Sequence, residues 1–442
     1  MKRFFLCVYL ICFPVIGLAS QEISEIIPVF YGQGVVTFGN PQAPEDKIRP
    51  LPSLGSAAWM RQITGFSLEI LGEFWEVKAQ AQVLWDGQAA RLESGESWAQ
   101  ADWQKIFFLR MGYEKTTSGP GRVLDLWPQP VPKDSTQFLA WGGNEPQKTE
   151  PMVNLRGIWE NFALETHILP FKPSLPLADV EGAWFFRAQI PSVFDVPSLG
   201  QYTLNNMDYD IAPAPHWVWS PSVLSQFRWS LDYLEILGAY YAGWDGFPPI
   251  NAQVSLPGGN LFNLKLKPER KQVQQGVLGF QFSGNDWEIW VEGRGSMNKV
   301  LVLTKTSSNI PIPLDGPFMT VDRMVLEACG GVAWKFWTDW EFSLEALGWW
   351  TGEQENLDIP DYTRSWSGTL GWNPGLFPLS ASLIILGSFQ SSSGLGVINL
   401  TYPWADGIEL WTQIPGFWGE KGSEWGQFSQ RALGQIGWRW LL

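Results

Sequence analysis

Only two imidazoles, His167 and His216, occur in the 442-residue chain, so a histidine-dependent lipase-like or protease-like site would have to be built around them. Such a site needs a histidine near a serine or a paired aspartate at a barrel rim. His167 instead shares the polar face of its segment with Glu165, and His216 sits in the Pro-rich stretch PAPHWVW. The carboxylates of MDYD (207–210) and IPDY (359–362) read as solvated loop charges. No His/Cys cluster has metal-ligand spacing, and GPGR (119–122) lacks the Lys-Ser/Thr ending and strand-to-helix context of a phosphate loop. The residues therefore point to no enzyme, no metal and no cofactor. A net charge of −14 disfavours nucleic acid as a partner.

The charges that remain are interleaved with apolar residues at a period of two. In WEVKAQAQVLW (75–85) Val77, Ala79, Ala81, Val83 and Trp85 oppose Glu76, Lys78, Gln80 and Gln82. DWEIWVEGRG (286–295) and DWEFSLEALGWW (339–350) repeat the pattern, which is that of strands with one greasy face and one charged face. Tryptophan is the outlying number, 28 residues, yet mean hydropathy is close to zero. Large rings must therefore be mixed with polar residues along every segment.

The first twenty residues, MKRFFLCVYLICFPVIGLAS, read as a cleaved secretory signal peptide: Lys2 and Arg3, an apolar run, then small residues. Cys7 and Cys12 would leave with it, so Cys329 alone remains and no internal disulfide is expected. Beyond the leader no apolar run approaches the length of a spanning helix. A closed barrel is the other way to cross lipid with every backbone group paired.

Sixteen segments alternate, at 62–71, 75–86, 103–112, 154–168, 179–190, 222–231, 234–243, 273–283, 286–298, 323–337, 340–351, 364–373, 380–389, 394–402, 406–414 and 430–441. Tight reversals such as SLDYL (230–234), SGNDW (283–287), WTDW (337–340), WNPGLFP (372–378) and PWADGIE (403–409) alternate with long connections at 113–153, 191–221, 244–272, 299–321, 352–362 and 415–428. This is the rhythm of an all-β, transmembrane, antiparallel up-and-down barrel with about sixteen strands, in the range 14–18. Residues 62–442 form that barrel. Residues 21–61 read as a periplasmic tail, a segment inside the lumen, or an additional strand around PVFYGQGVVTF (28–38). The tight turn at 72–73 falls at the wrong end in the sixteen-strand scheme.

The chain stops on GQIGWRWLL (434–442), in which Ile436, Trp438, Trp440 and Leu442 share one face. Gln435, Gly437, Trp438, Trp440 and Leu442 resemble the C-terminal insertion signal of bacterial outer-membrane proteins, departing from its commonest form by ending on Leu rather than an aromatic residue. The resemblance implies export to the outer membrane of a diderm bacterium and engagement by the barrel assembly machinery. The spacing within LRMGYEKTTSGPGRVLDLWPQP (109–130), MVNLRGIWENFALE (152–165) and YYAGWDGFPPI (240–250) loosely resembles porin-like and alginate-export-type barrels. That resemblance implies a passive conduit and identifies no solute.

In such a barrel the charged faces enclose water. Lys78, Arg110, Arg187, Arg228, Arg294, Lys335 and Arg439 fall on lumen faces, with Glu69, Glu76, Glu165, Glu235, Glu288, Glu292, Glu327, Glu341, Glu345 and Glu409. They either pair across strands and hold the wet interior together, or stand in opposed rows that set ion preference. The 113–153 connection, carrying Arg122, Asp125, Lys133 and Asp134, is the expected constriction of an otherwise wide lumen. The partners expected are outer-membrane lipid and small hydrophilic solutes. A homo-oligomer is common among porins of this size, although no interface is legible here. The competing reading is a closed or plugged barrel serving as a structural or surface-interaction protein through its long loops.

Overall fold

The computed structural model describes residues 23–39, 58–85, 90–114, 123–128, 130, 149–171, 193–196, 200–209, 219–245, 250–268, 270–302, 320–352, 364–375, 378–420, 423, 425–426 and 433–441. In chain order the strands are β1 Ile23–Gly39, β2 Ala58–Gly72, β3 Trp75–Trp85, β4 Ala90–Ser94, β5 Ser97–Trp103, β6 Phe107–Glu114, β7 Glu150–Trp159, β8 Phe162–Phe171, β9 Val193–Val196, β10 Gly200–Tyr209, β11 Trp219–Leu231 and β12 Leu234–Trp244. They continue as β13 Ile250–Gly258, β14 Leu261–Pro268, β15 Gln272–Ser283, β16 Trp287–Val302, β17 Thr320–Phe336, β18 Trp340–Thr351, β19 Ser365–Trp372, β20 Ser380–Ser388, β21 Gly394–Ala405, β22 Ile408–Trp418 and β23 Leu433–Leu441.

The wall is an antiparallel barrel of 18 strands. Neighbours in sequence pair all the way round, β8 pairs directly with β11 and β12 with β15, and β23 pairs back onto β1 with Gly32 opposite Trp440 and Gly34 opposite Trp438. No edge is left open, which removes the row of unpaired backbone groups that an open sheet exposes. β4 and β5 share one position in the wall, both paired to β3. The break between them lies at Gly95 and Glu96, whose N–H groups donate to the backbone and side-chain oxygens of Gln80.

The five reversals singled out in the sequence all lie at one end, with Ile23 and Leu441. The turn after Gly72 joins them there because β1 precedes β2. Of the three readings of residues 21–61, the structure therefore has the strand, and the barrel begins at Ile23 rather than at residue 62. Residues 40–57 lie outside the described residues. Three further expectations are corrected. The segment 154–168 is two strands that reverse at Glu160 and Asn161. The span between the expected strands 75–86 and 103–112 carries β4 and nearly all of β5 in the wall. The connections 191–221 and 244–272 carry β9, β10, β13 and β14, which form a separate four-stranded sheet in which β10 runs parallel to β14. The proposed strand 179–190 lies outside the described residues.

The faces are inverted relative to a water-soluble sandwich. Leu278, Phe280, Phe282, Ile289, Val291, Leu326, Phe342 and Leu344 are exposed, whereas Glu292, Ser296, Ser343, Glu345, Ser367 and Gln413 are buried on the inner side. At the tight-turn end the outer surface carries chains of ring contacts, Phe107–Trp159–Phe162–Phe227 and Trp334–Phe336–Trp340–Trp372.

The surplus of tryptophan is linked to the 45 glycines. Trp440 lies opposite Gly32, Trp438 opposite Gly34, Tyr31 opposite Gly65, Phe227 opposite Gly238, Trp290 opposite Gly331, Trp366 opposite Gly387, Trp418 opposite Gly394 and Trp411 opposite Gly437. At each of these glycines an added Cβ would stand only 2.1–2.6 Å from the facing ring. The ring therefore lies on bare backbone and covers it, as in aromatic rescue of strand glycines. Two of these pairs form the seam between the first and last strands, so the tail's tryptophans close the barrel. Leu442 lies outside the described residues.

Candidate functional site: the lumen

Register places the inward charges in tiers. The second residue from the tight-turn end is acidic on six strands: Glu76 on β3, Asp102 on β5, Glu235 on β12, Glu288 on β16, Glu341 on β18 and Glu409 on β22. Two residues further in, at the fourth position, stand Lys78 on β3, Arg110 on β6, Arg156 on β7 and Arg228 on β11, with Glu69 on β2 and Glu165 on β8. The cations occupy one arc of the wall, β3 to β11.

Most of these charges are paired. Lys78 lies 3.0 Å from Glu69 and 3.7 Å from Glu96, Arg228 lies 3.2 Å from Glu235, and Arg439 lies 2.7 Å from Glu409. Arg110 stacks on Trp98, donates twice to Gln100 Oε1 and lies 3.5 Å from Glu114. Gln281 donates to Glu288, and Lys335 faces Glu341 in register. Cross-strand pairing thus accounts for much of the charge, while Arg228 keeps 62% of its side chain exposed to the interior.

Above these tiers a short run from the β6–β7 connection crosses the inside of the barrel. Leu124 and Leu126 pack with Cys329, Leu386, Leu395, Val397 and Trp425, and Trp127 packs with Leu224, Leu237, Tyr241, Val273 and Val277. These clusters belong to separate arcs of the wall, so a run that touches both can only lie within it. Buried charges hold its main chain between them. The N–H groups of Val123 and Leu124 both donate to Glu345 Oε2 at 2.9 Å, and Ser367 Oγ donates to the same oxygen. Leu126 N–H donates to Glu292 Oε2, and Arg294, paired with Glu327, donates to the carbonyl of Leu126. Cys329 Sγ lies 3.5 Å from the Leu124 carbonyl.

Asp125 accepts from the Trp127 N–H and so turns the run toward the second arc, where the indole N–H donates to Gln226 Oε1. Gln226 and Asn154 in turn donate to Glu165. His167, 2% exposed, has Nε2 against Glu165 and Gln226. The contacts of this ring nitrogen are thus a carboxylate and an amide.

The expected site residues therefore divide into two groups. Lys78, Arg110, Arg228, Glu288 and Glu341 stand in the lower tiers, while Glu292, Arg294 and Glu345 surround the inserted run, of which Asp125 is a member. Arg122, Lys133, Asp134, Arg187 and His216 lie outside the described residues. Asp102, Arg156, Gln226 and Ser367 are not singled out by the sequence, and Cys329 stands out there only as a lone cysteine. Asp102 and Arg156 were legible from strand position once β5 and β7 are bounded correctly. The roles of Gln226, Ser367 and Cys329 depend on which strands the run meets, and no local pattern encodes that.

No family model matches the chain, and no curated protein matches it. Among solved structures it is similar to a doubly substituted porin from Rh. blastica, at 9% identity and TM-score 0.42, covering 95% of this chain and 100% of that one. It is also similar to a loop-deletion variant of OmpT, an outer membrane protein of Vibrio cholerae, at 6% identity and TM-score 0.44, covering 95% of this chain and 99% of that one. Sequence identity at this level leaves the reading of the lumen to its own residues.

Proposed function

We propose that the barrel resides in an outer membrane and lets small hydrophilic solutes pass passively through its lumen. The observation that carries this is the inversion of faces: exposed Leu278, Phe280 and Phe282 alternate along β15 with inward Gln275, Val277 and Gln281. A strand can hold that pattern without exposing grease to water only when lipid lies outside. On this reading the rings at the tight-turn end sit at the membrane interface, and the assembly machinery engages β23. The tiers of charge line the passage near the tight-turn mouth. The run 123–127 narrows it from one side, leaving the arc from β23 through β6, with Gln33, Gln80, Gln82, Lys78 and Arg110 inward, as the wetter wall. Paired charges make ion preference weak, and the acidic tier at the mouth tilts it toward cations.

Purified protein reconstituted in planar bilayers should give stable unit currents. Silence from a folded, heat-modifiable barrel would overturn the channel reading. It would favour the second reading, a plugged barrel acting through its loops, for which the packing of Trp425 beside the inserted run and the four-stranded sheet are the supporting observations.

A further inference from the structure

The contacts around residues 123–126 are unusual in what they recognise. Glu345 reads the N–H groups of Val123 and Leu124, Glu292 reads the N–H of Leu126, Arg294 reads its carbonyl, and Cys329 faces the carbonyl of Leu124. Glu292 and Glu345 are 0% and 1% exposed. All of these partners address main chain, which every peptide possesses. Side-chain selection enters through two apolar receptacles, one around Cys329, Leu386 and Leu395 that takes Leu124 and Leu126, the other around Leu224 and Val277 that takes Trp127, and through Gln226, whose Oε1 accepts from the Trp127 indole N–H. Main-chain hydrogen bonds for affinity, with pockets for apolar side chains for selection, are a combination by which proteins bind peptides.

We infer that the inner wall from β11 to β21 is a peptide-binding groove for short, bent, apolar-rich peptides, occupied here by the chain's own residues 123–127. The inference rests on the channel reading only for the route by which a free peptide arrives. Because the run is tethered to β6 and β7, it holds the groove at an effective concentration in the millimolar range. A free peptide therefore competes only when the tethered run is weakened. The lumen is then narrowest when the groove holds its own segment and open to exchange when that segment is displaced.

The test uses the full-length protein in detergent, with Leu124→Ser, Leu126→Ser and Trp127→Ala combined, and a capped, fluorescent peptide with the sequence of residues 123–128. Anisotropy should show the peptide binding the triple variant at least about tenfold more tightly than the unaltered protein. The same peptide N-methylated at its fourth residue, which removes the N–H that Glu292 reads, should bind about tenfold more weakly than the unmethylated form. Should the triple variant fail to fold, Trp127→Ala alone carries the comparison. Equal binding by the two peptides, or by variant and unaltered protein, overturns the inference. Conductance measured on the same preparations separates the two claims: currents without selective peptide binding leave the channel standing and remove the groove, whereas selective binding without currents does the reverse.

Discussion

Gly34→Val is the perturbation that follows most directly from the packing of the barrel seam. A Cβ at Gly34 would lie 2.1 Å from Cζ2 of Trp438. Ordinary carbon contacts sit near 3.5–4.0 Å, so the indole must retreat by about 1.5 Å or leave the glycine altogether. Overpacking of this kind costs about 1–3 kcal/mol, and here it falls on the ladder between β1 and β23 that closes the ring. Gly276→Val is the matched control, because a Cβ there meets nothing within 4 Å. It should change stability by less than about 0.5 kcal/mol. Reversible unfolding in urea from lipid vesicles, followed by the heat-dependent shift in gel mobility, measures both. Combining Gly34→Val with Trp438→Val should cost less than the sum of the two single changes, because the collision is shared. The reasoning is refuted if Gly34→Val is as well tolerated as Gly276→Val, or if Trp438→Val leaves its cost unchanged.

Glu345→Ala removes the acceptor shared by Val123, Leu124 and Ser367; it should destabilise the inserted run by about 1–3 kcal/mol and raise unit conductance or its noise, whereas Glu345→Gln, which keeps an acceptor, should do less. Cys329, 2% exposed beneath Leu124, should resist a membrane-impermeant thiol reagent in the folded protein and become reactive with Leu124→Ser and Leu126→Ser; equal labelling of both would contradict the placement of the run. Arg228→Glu sets a second carboxylate beside Glu235 and should shift the reversal potential in a salt gradient toward cation preference, an effect that shrinks as ionic strength rises.

Alternation and tight turns made the wall legible because both are local: Glu288, Glu341 and Lys78 could be assigned inward from period alone. β1 was harder to read since Gly32, Gly34 and Pro28 lower its strand signal, and those glycines make sense only with Trp440 and Trp438 from the far end of the chain. The reversal at Glu160 and Asn161 carries neither Gly nor Pro, so β7 and β8 read as one segment. The acids Glu292 and Glu345 looked like any other lumen charge. What distinguishes them is the main chain of residues 123–126, brought to them across more than 160 positions of sequence, and no residue spacing reports such a meeting. Gly437 illustrates the same limit in reverse: it matches a tail motif, but its structural task is to seat Trp411.

The inversion of faces is tested most directly by nitroxide labels placed one at a time at residues 277–282 of β15 in lipid vesicles, comparing collision with oxygen, which concentrates in hydrocarbon, and with a water-soluble nickel chelate. Labels at Leu278, Phe280 and Phe282 should favour oxygen, and labels at Val277, Gly279 and Gln281 should not, alternating at every step. Preferential access of the nickel chelate to the 278, 280 and 282 face would contradict the account.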